Sequence, residues 1–250
     1  MNKGSIVKIP DYNPQGIFYG FISKSLPDCS FRFTLQKDRS ALSNRQLVLN
    51  ALGMPQRRLS MLSQVHGTDC LIIDNPSTLG QEVEADGQVT VNKNVVLAIN
   101  TADCVPVLLH DTKNKVIGIC HAGWRGALAG ILQSTIQQML NCEAEISSIE
   151  AIIGPCIQQQ SYEVSENYYQ QFLVENNSNN VFFLDSKRPG HYMFDLPGYV
   201  CKKLKDSGIF KIADIKLDTL TNEDRFFSYR LSSLRGKKRE GDILSVIGLR

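Results

Sequence analysis

The stretch from Cys104 to Gly123 constrains this chain more than any other. Two apolar, β-branched runs, CVPVLLHD and KVIGICHAG, flank polar turn residues in the segment HDTKNK, a pattern that predicts an antiparallel hairpin. Similar runs recur at GIFYGFI (16–22), CLIID from Cys70, NVVLAIN from Asn94 and IEAIIGP from Ile149. With little polar alternation inside them, several of these read as strands buried on both faces.

Helical spacing is clearest after HAGWRG, where Leu128, Ile131, Leu132, Thr135, Ile136, Met139 and Leu140 repeat every three to four residues. A second helix is expected over Asn44 to Leu52, closed by Gly53 and Pro55. Asp195 followed by LPGYVCKKLKDSG reads as an N-cap, an early proline and a terminal Gly208, and SENYYQQFLVEN is a further helix. NNSNN (176–180) and GKKREGD (236–242) read as loops. Strands and helices interleave without regular alternation, so the expected class is α/β (α+β), a mixed β-sheet core flanked by helices. With 250 residues, 42% of them hydrophobic, and no linker, one domain over 1–250 is expected.

Lys and Arg total 27 against 25 Asp and Glu, a formal charge of +2 that lacks the concentrated basic field of a nucleic-acid binder. MNKGSIVKIPDYNP has no apolar leader core, and no run approaches the ~20 apolar residues of a membrane span. Neither nucleic acid nor membrane is expected as a partner, and a cytoplasmic monomer or small homo-oligomer is. The seven cysteines form no C-x-x-C pair and suggest neither a disulfide framework nor a zinc finger.

Chemistry concentrates at strand ends. His66 in SQVHGTD and His121 in CHAGWRG stand where strands give way to Gly-rich polar segments, and Cys104 opens the hairpin beside Asp103. Two imidazoles and a thiolate make a sound catalytic zinc shell with one open position, provided the fold gathers them. The other reading makes them turn histidines and a core cysteine. AGWRG leads into a helix, so Gly123, Gly126 and Arg125 suit an anion, or simply form the strand-to-helix turn. EADGQVT offers an Asp86-Gly87 turn, IIGPCIQQQSYEV ends a strand at Gly154 to Cys156, and DRFFSYR sets aromatics between Arg225 and Arg230. His110 is expected in the hairpin turn, in solvent.

In order and spacing, QVHG (64–67), ADG (85–87), TADCVPVLL (101–109), HAGWRG (121–126), GPCI (154–157), SYEV (161–164) and FFSYR (226–230) resemble one family. It is the purine nucleoside phosphorylase family formerly called polyphenol oxidase or laccase-domain proteins. The resemblance implies a mononuclear zinc on His66, Cys104 and His121. It also implies phosphorolysis of purine nucleosides (adenosine, inosine, guanosine, methylthioadenosine), with adenosine deaminase activity also attributed. Gln64, Gly123, Arg125, Cys156 and Arg230 fall within these motifs as expected substrate contacts. Two departures stand out: Asp218-Thr219 replaces a usual Cys-Thr pair, and RGKKREGD replaces a usual Gly-Arg stretch.

Phosphorolysis on this plan has Arg125 holding phosphate, while deamination needs a carboxylate to move protons, for which Asp86 and Asp103 are candidates. A multicopper oxidase is excluded by only four histidines, although copper at the same three ligands would give weak oxidation. The rival is a hydrolase with Cys104 as nucleophile and His121 as base, including editing of peptidoglycan precursors.

Overall fold

The computed structural model describes residues 6–24, 39–74, 83–238 and 240–250. Cys29 and residue 239 of the GKKREGD segment lie outside them. Among the described residues, one sheet has the order β1 (Ile6–Val7), β2 (Ile17–Ile22), β14 (Ile243–Leu249), β6 (Val95–Thr101), β3 (Arg58–Ser60). A second runs β13 (Ile212–Asp214), β9 (Glu150–Ile153), β7 (Val105–Asp111), β8 (Val116–Ala122), β5 (Gly87–Thr90), β4 (Cys70–Ile72). A third is small: β10 (Glu163–Ser165), β12 (His191–Phe194), β11 (Phe183–Asp185). The β3–β6, β4–β5 and β9–β13 pairs are parallel, and the expected mixed sheet with flanking helices is what forms.

Side-chain alternation stacks the layers. Along β6, Val95, Leu97 and Ile99 join Tyr19, Phe21 and Ile247 in a core shared with Leu108, Ile117, Ile119 and Ile152 of the second sheet, so the two larger sheets pack face to face. The intervening Val96 and Ala98 face outward onto Val48 and Leu49 of α1 (Arg39–Ala51). On the far side of the second sheet, Val107, Leu109 and Cys120 pack on Leu132, Ile136 and Met139 of α3 (Ile131–Asn141) and on Val200 and Leu204 of α5 (Leu196–Asp206). Phe172 of α4 (Glu166–Glu175), Phe183, Phe194 and Tyr199 extend that core under the small sheet.

The hairpin forms in full register, Val105 opposite Ala122 through Asp111 opposite Val116. Four local expectations are corrected. The helix after HAGWRG is two helices, α2 (Trp124–Ala129) and α3, because Gly130 takes φ 112° and turns the chain. Asp86-Gly87 is no turn: Gly87 opens β5, and Asp86 is fully buried. NNSNN forms a 3₁₀ helix (Asn177–Phe182), capped by the Asn176 side chain on Ser178 N and anchored by buried Asn179, whose Nδ2 donates to Phe172 O. His110 is no solvated turn residue. It lies buried inside β7, with Nε2 3.1 Å from the Tyr12 hydroxyl that also donates to Glu150.

Candidate metal centre and substrate cavity

His121 continues the inward row of β8 begun by Ile117 and Ile119, so strand alternation delivers its ring to the open end of the space between the sheets. Cys104 stands one residue before β7, on the neighbouring strand, and His66 comes from the loop between β3 and β4. Two residues here hold left-handed backbone, His66 at φ 61° and Asp103 at φ 92°, a strain that only surrounding bonds sustain.

Those bonds come from two carboxylates. Asp86 Oδ1 accepts from His66 N at 3.0 Å, and Oδ2 accepts from Val65 N at 3.1 Å and Gly67 N at 2.6 Å, fixing the loop. The same Oδ1 lies 2.7 Å from His121 Nδ1. Burial opposes the charged form of Asp86, yet His121 and the loop amides outweigh it and hold the carboxyl below its ordinary value. An ionised carboxylate only accepts, so Nδ1 carries the proton and Nε2 is left as the metal-facing nitrogen. Asp103 is spent differently: Oδ1 accepts from Thr219 Oγ1 and Oδ2 from Arg230 N, each at 2.6 Å. Burial nevertheless raises its carboxyl above the ordinary range.

The fold thus gathers the three expected ligands. One donor atom from each of His66, Cys104 and His121 lies within 4.8 Å of the others, and the two imidazoles stand 4.6 Å apart by ring centroid. Burial disfavours a Cys104 thiolate, but His121 and then His66 prevail and bring the thiol down to about 6. His121 is lifted to about 9, its burial outweighed by Cys104 and Asp86. One soft sulfur and two imidazole nitrogens, one of them oriented by a carboxylate, make a donor set that could hold a metal ion. Gly123 belongs to this arrangement through its missing side chain, because a Cβ there would lie 2.5 Å from His66 Nδ1 and 3.2 Å from Cys104 Sγ. Gly126 likewise admits the Gly67 carbonyl, which would stand 2.9 Å from an added Cβ. Both glycines serve the packing of the His66 loop.

The cluster forms part of the wall of a cavity of about 640 Å³. Arg45, Gln64 and Asn100 belong to its wall, as do Trp124, Arg125, Tyr162 and Arg230, the last four shared with a neighbouring hollow. Gln64 locks the loop to the end of β6, its Nε2 donating to Asn100 O at 2.7 Å and its Oε1 accepting from Asn100 N at 2.8 Å. Arg125 lies over the Trp124 ring at 4.4 Å, and Arg230 over Tyr162 at 5.4 Å with Nη2 donating to Glu163 O. Burial pushes the Tyr162 hydroxyl up to about 12, leaving it a neutral donor.

Cys156 is absent from that wall. Its bridge to Asp218 turns the side chain into the helix-side core, where Gln158 Nε2 lies 3.3 Å from the sulfur. Asp218, the departure at this position, accepts from Ser161 Oγ at 2.5 Å and ties down the loop before β10. Tyr229 of DRFFSYR lines the wall, as that segment's aromatics between arginines allowed, whereas Arg45 and Asn100 carry no local signal in the sequence.

Residues 30–250 match the family described as multi-copper polyphenol oxidoreductase laccase. A purine nucleoside phosphorylase of Rickettsia conorii is 35% identical over 92% of this chain and 95% of its own length. Another of Deinococcus radiodurans is 35% identical over 84% and 78%. The solved hypothetical protein YfiH of Bacillus licheniformis superposes with TM-score 0.85 at 26% identity, covering 100% of this chain and 98% of that one. A Neisseria meningitidis protein gives TM-score 0.81, also at 26% identity, with 98% and 99% covered. Of the chain's four histidines, His110 is held by Tyr12 in β7, and the described residues contain a single three-ligand cluster, which is short of any multi-copper set.

Proposed function

This chain belongs to the laccase-like family matched over residues 30–250, and from that premise we propose that it is a zinc-dependent purine nucleoside phosphorylase. The observation that carries the reading is the cavity itself, roomy enough for a nucleoside with phosphate, with the His66, Cys104 and His121 cluster on its wall together with Arg125 and Arg230. The names of the relatives support it.

In the proposed reaction a phosphate oxygen bonds to ribose C1′ as the C1′–N9 bond breaks, the bonding pair leaves with the purine, the proton given up by the phosphate ends on the purine, and the products are the free base and ribose 1-phosphate. Arg125 and Arg230 hold the phosphate, their forked donors matching its oxygens. The six-residue helix α2 adds no separate anion site, since Gly123 and Gly126 are used in packing. Tyr162 offers a neutral donor on the same wall. Zinc on His66, Cys104 and His121 would supply Lewis acidity to a substrate heteroatom. Asp86 and Asp103 act as positioning residues, the first orienting His121 and the second holding the segment that carries Arg230. With both committed, neither stands ready as the proton carrier that adenosine deamination requires.

A second reading has its own observation. Asp86, His121 and Cys104 are arranged as orienting acid, base and nucleophile, which is also the order of a cysteine hydrolase. Alkylation decides: a thiolate tied to metal resists iodoacetamide until a chelator is added, whereas a free nucleophile reacts at once.

The test of the main reading is chromatography of adenosine with and without phosphate. The expected products are adenine and ribose 1-phosphate, formed only with phosphate and lost in His121→Ala. Arg125→Ala should raise the phosphate KM at least tenfold, and an unchanged phosphate KM would remove Arg125 from that role. Inosine formed without phosphate would make the protein a deaminase.

A further inference from the structure

The cluster's cavity adjoins a second one of about 410 Å³, and Trp124, Arg125, Tyr162 and Arg230 belong to the walls of both. The second cavity adds Arg188, His191 and the residues of β10. Three guanidiniums therefore surround one concavity whose wall includes a single carboxylate, Glu163.

The arginines carry more charge than the acids beside them offset: Arg125 has an aromatic partner, Arg230 shares the field of Asp103, and Arg188 has one long ion pair. Arg125 rests on the face of Trp124, and Arg230 on the face of Tyr162 with its donor on a backbone carbonyl. Arg188 Nη1 stands 3.9 Å from Glu163 Oε2, and that carboxylate also accepts from the Ser186 hydroxyl. In a chain whose overall charge is only +2, this excess is local, and a concave wall focuses it. Ser165 and the Tyr162–Tyr168 hydroxyl pair, 3.2 Å apart, add neutral polar groups. Forked cations beside hydroxyls suit a compact tetrahedral dianion. A nucleic-acid backbone would need an extended basic stripe, and a 410 Å³ hollow is not one.

We propose that this second cavity is a phosphoryl-binding subsite, in which Arg188 joins Arg125 and Arg230 in drawing a phosphate group, free or carried as the 5′-phosphate of a nucleotide, to the mouth of the cluster's cavity. The proposal rests on the reading of Arg125 and Arg230 as phosphate ligands and extends it to a residue that the reaction itself does not need. Charge at Arg188 then governs capture of the anion and leaves binding of an uncharged nucleoside alone.

The experiment uses the metal-loaded full chain, with Arg188→Glu, Arg188→Lys and, as a charge control, Lys115→Glu in the turn at the other end of the β7–β8 hairpin. Binding of inorganic phosphate, adenosine 5′-monophosphate and adenosine is measured by calorimetry at low ionic strength, alongside the KM values for phosphate and adenosine. Arg188→Glu is expected to weaken binding of one phosphoryl ligand at least tenfold, with adenosine changed less than twofold and Arg188→Lys, which keeps the charge but loses the fork, between that variant and wild type. Weakened inorganic phosphate identifies the co-substrate as the source; weakened monophosphate alone identifies a nucleotide. If neither anion loses more affinity in Arg188→Glu than in Lys115→Glu, the proposal is wrong. A protein that binds phosphate through Arg188 but turns over no nucleoside would sink the phosphorylase reading and leave the subsite standing.

Discussion

Asp86 does two things with two oxygens. It accepts three backbone amides of the His66 loop and fixes the proton on His121 Nδ1, so one buried side chain sets the geometry of two ligands from distant parts of the chain. Asp86→Asn keeps the shape but offers an amide where two acceptors are needed. Metal affinity should fall by ~10–100-fold, as for other outer-shell partners of metal-bound histidines. Competition with a chromophoric chelator measures it, and unchanged affinity would mean that the loop is held by its own backbone. In the metal-free protein the same electrostatics make Cys104 nucleophilic, so its alkylation should reach half its maximal rate near pH 6, where the thiol has been drawn to about 6. A midpoint at the ordinary ~8.5 of a free thiol would show that the His121 pairing does not form in solution.

At the level of elements, the hairpin depends on its turn as much as on its strands. Asp111, buried at the end of β7, accepts from Lys113 N, Asn114 N, Asn114 Nδ2 and Glu145 N at 2.8 to 3.1 Å. Burial would raise its carboxyl, but these donors hold it below the ordinary value. A depressed folded value contributes stability that is complete above the unfolded value of about 3.9 and is lost as pH falls through the folded one. Asp111→Ala should therefore cost about 2 kcal/mol at pH 7 and much less near pH 2. Urea unfolding at the two pH values checks this, and equal losses at both would show that charge plays no part. The break at Gly130 illustrates the limit of pattern reading: Leu128, Ile131 and Leu132 keep helical spacing across it, because periodicity reports which face is apolar and is blind to one left-handed residue.

Across the whole molecule, the cluster joins the β3–β4 loop to the paired ends of β7 and β8, so an ion held there binds the folded chain and has no equivalent in the unfolded one. Metal present at a thousandfold over its Kd contributes ~4 kcal/mol. For a chain of this size that corresponds to a fall of ~8–15 °C in Tm on chelation. Differential scanning fluorimetry with and without chelator tests this; His121→Ala should show no such fall, and an equal fall in that variant would place the metal elsewhere. The same scale explains the cavity. Its wall takes residues from α1, the ends of β6 and β8, the β3–β4 loop and the segment before β14, which only the stacking of two sheets brings together.

Local physics wrote into the sequence the strand runs, the existence of the hairpin, the Asp195 cap, and the three metal-binding residue types at strand ends, though not the hairpin's register, since His110 lies in the ladder and not in the turn. Those follow from side-chain periodicity and turn chemistry within a few residues. Which groups meet was settled by long-range packing. Pairing of β14 with β2 and β6 joins segments far apart in the chain, and that pairing helps carry Asn100 and Arg45 into the site. Asp86 and Asp103, two acids alike in sequence, became orienters of different partners because their oxygens were consumed by His121 and the His66 loop in one case and by Thr219 and Arg230 in the other. A carboxylate's role is set by the donors that reach it, and those donors come from non-local packing, which no window of sequence contains.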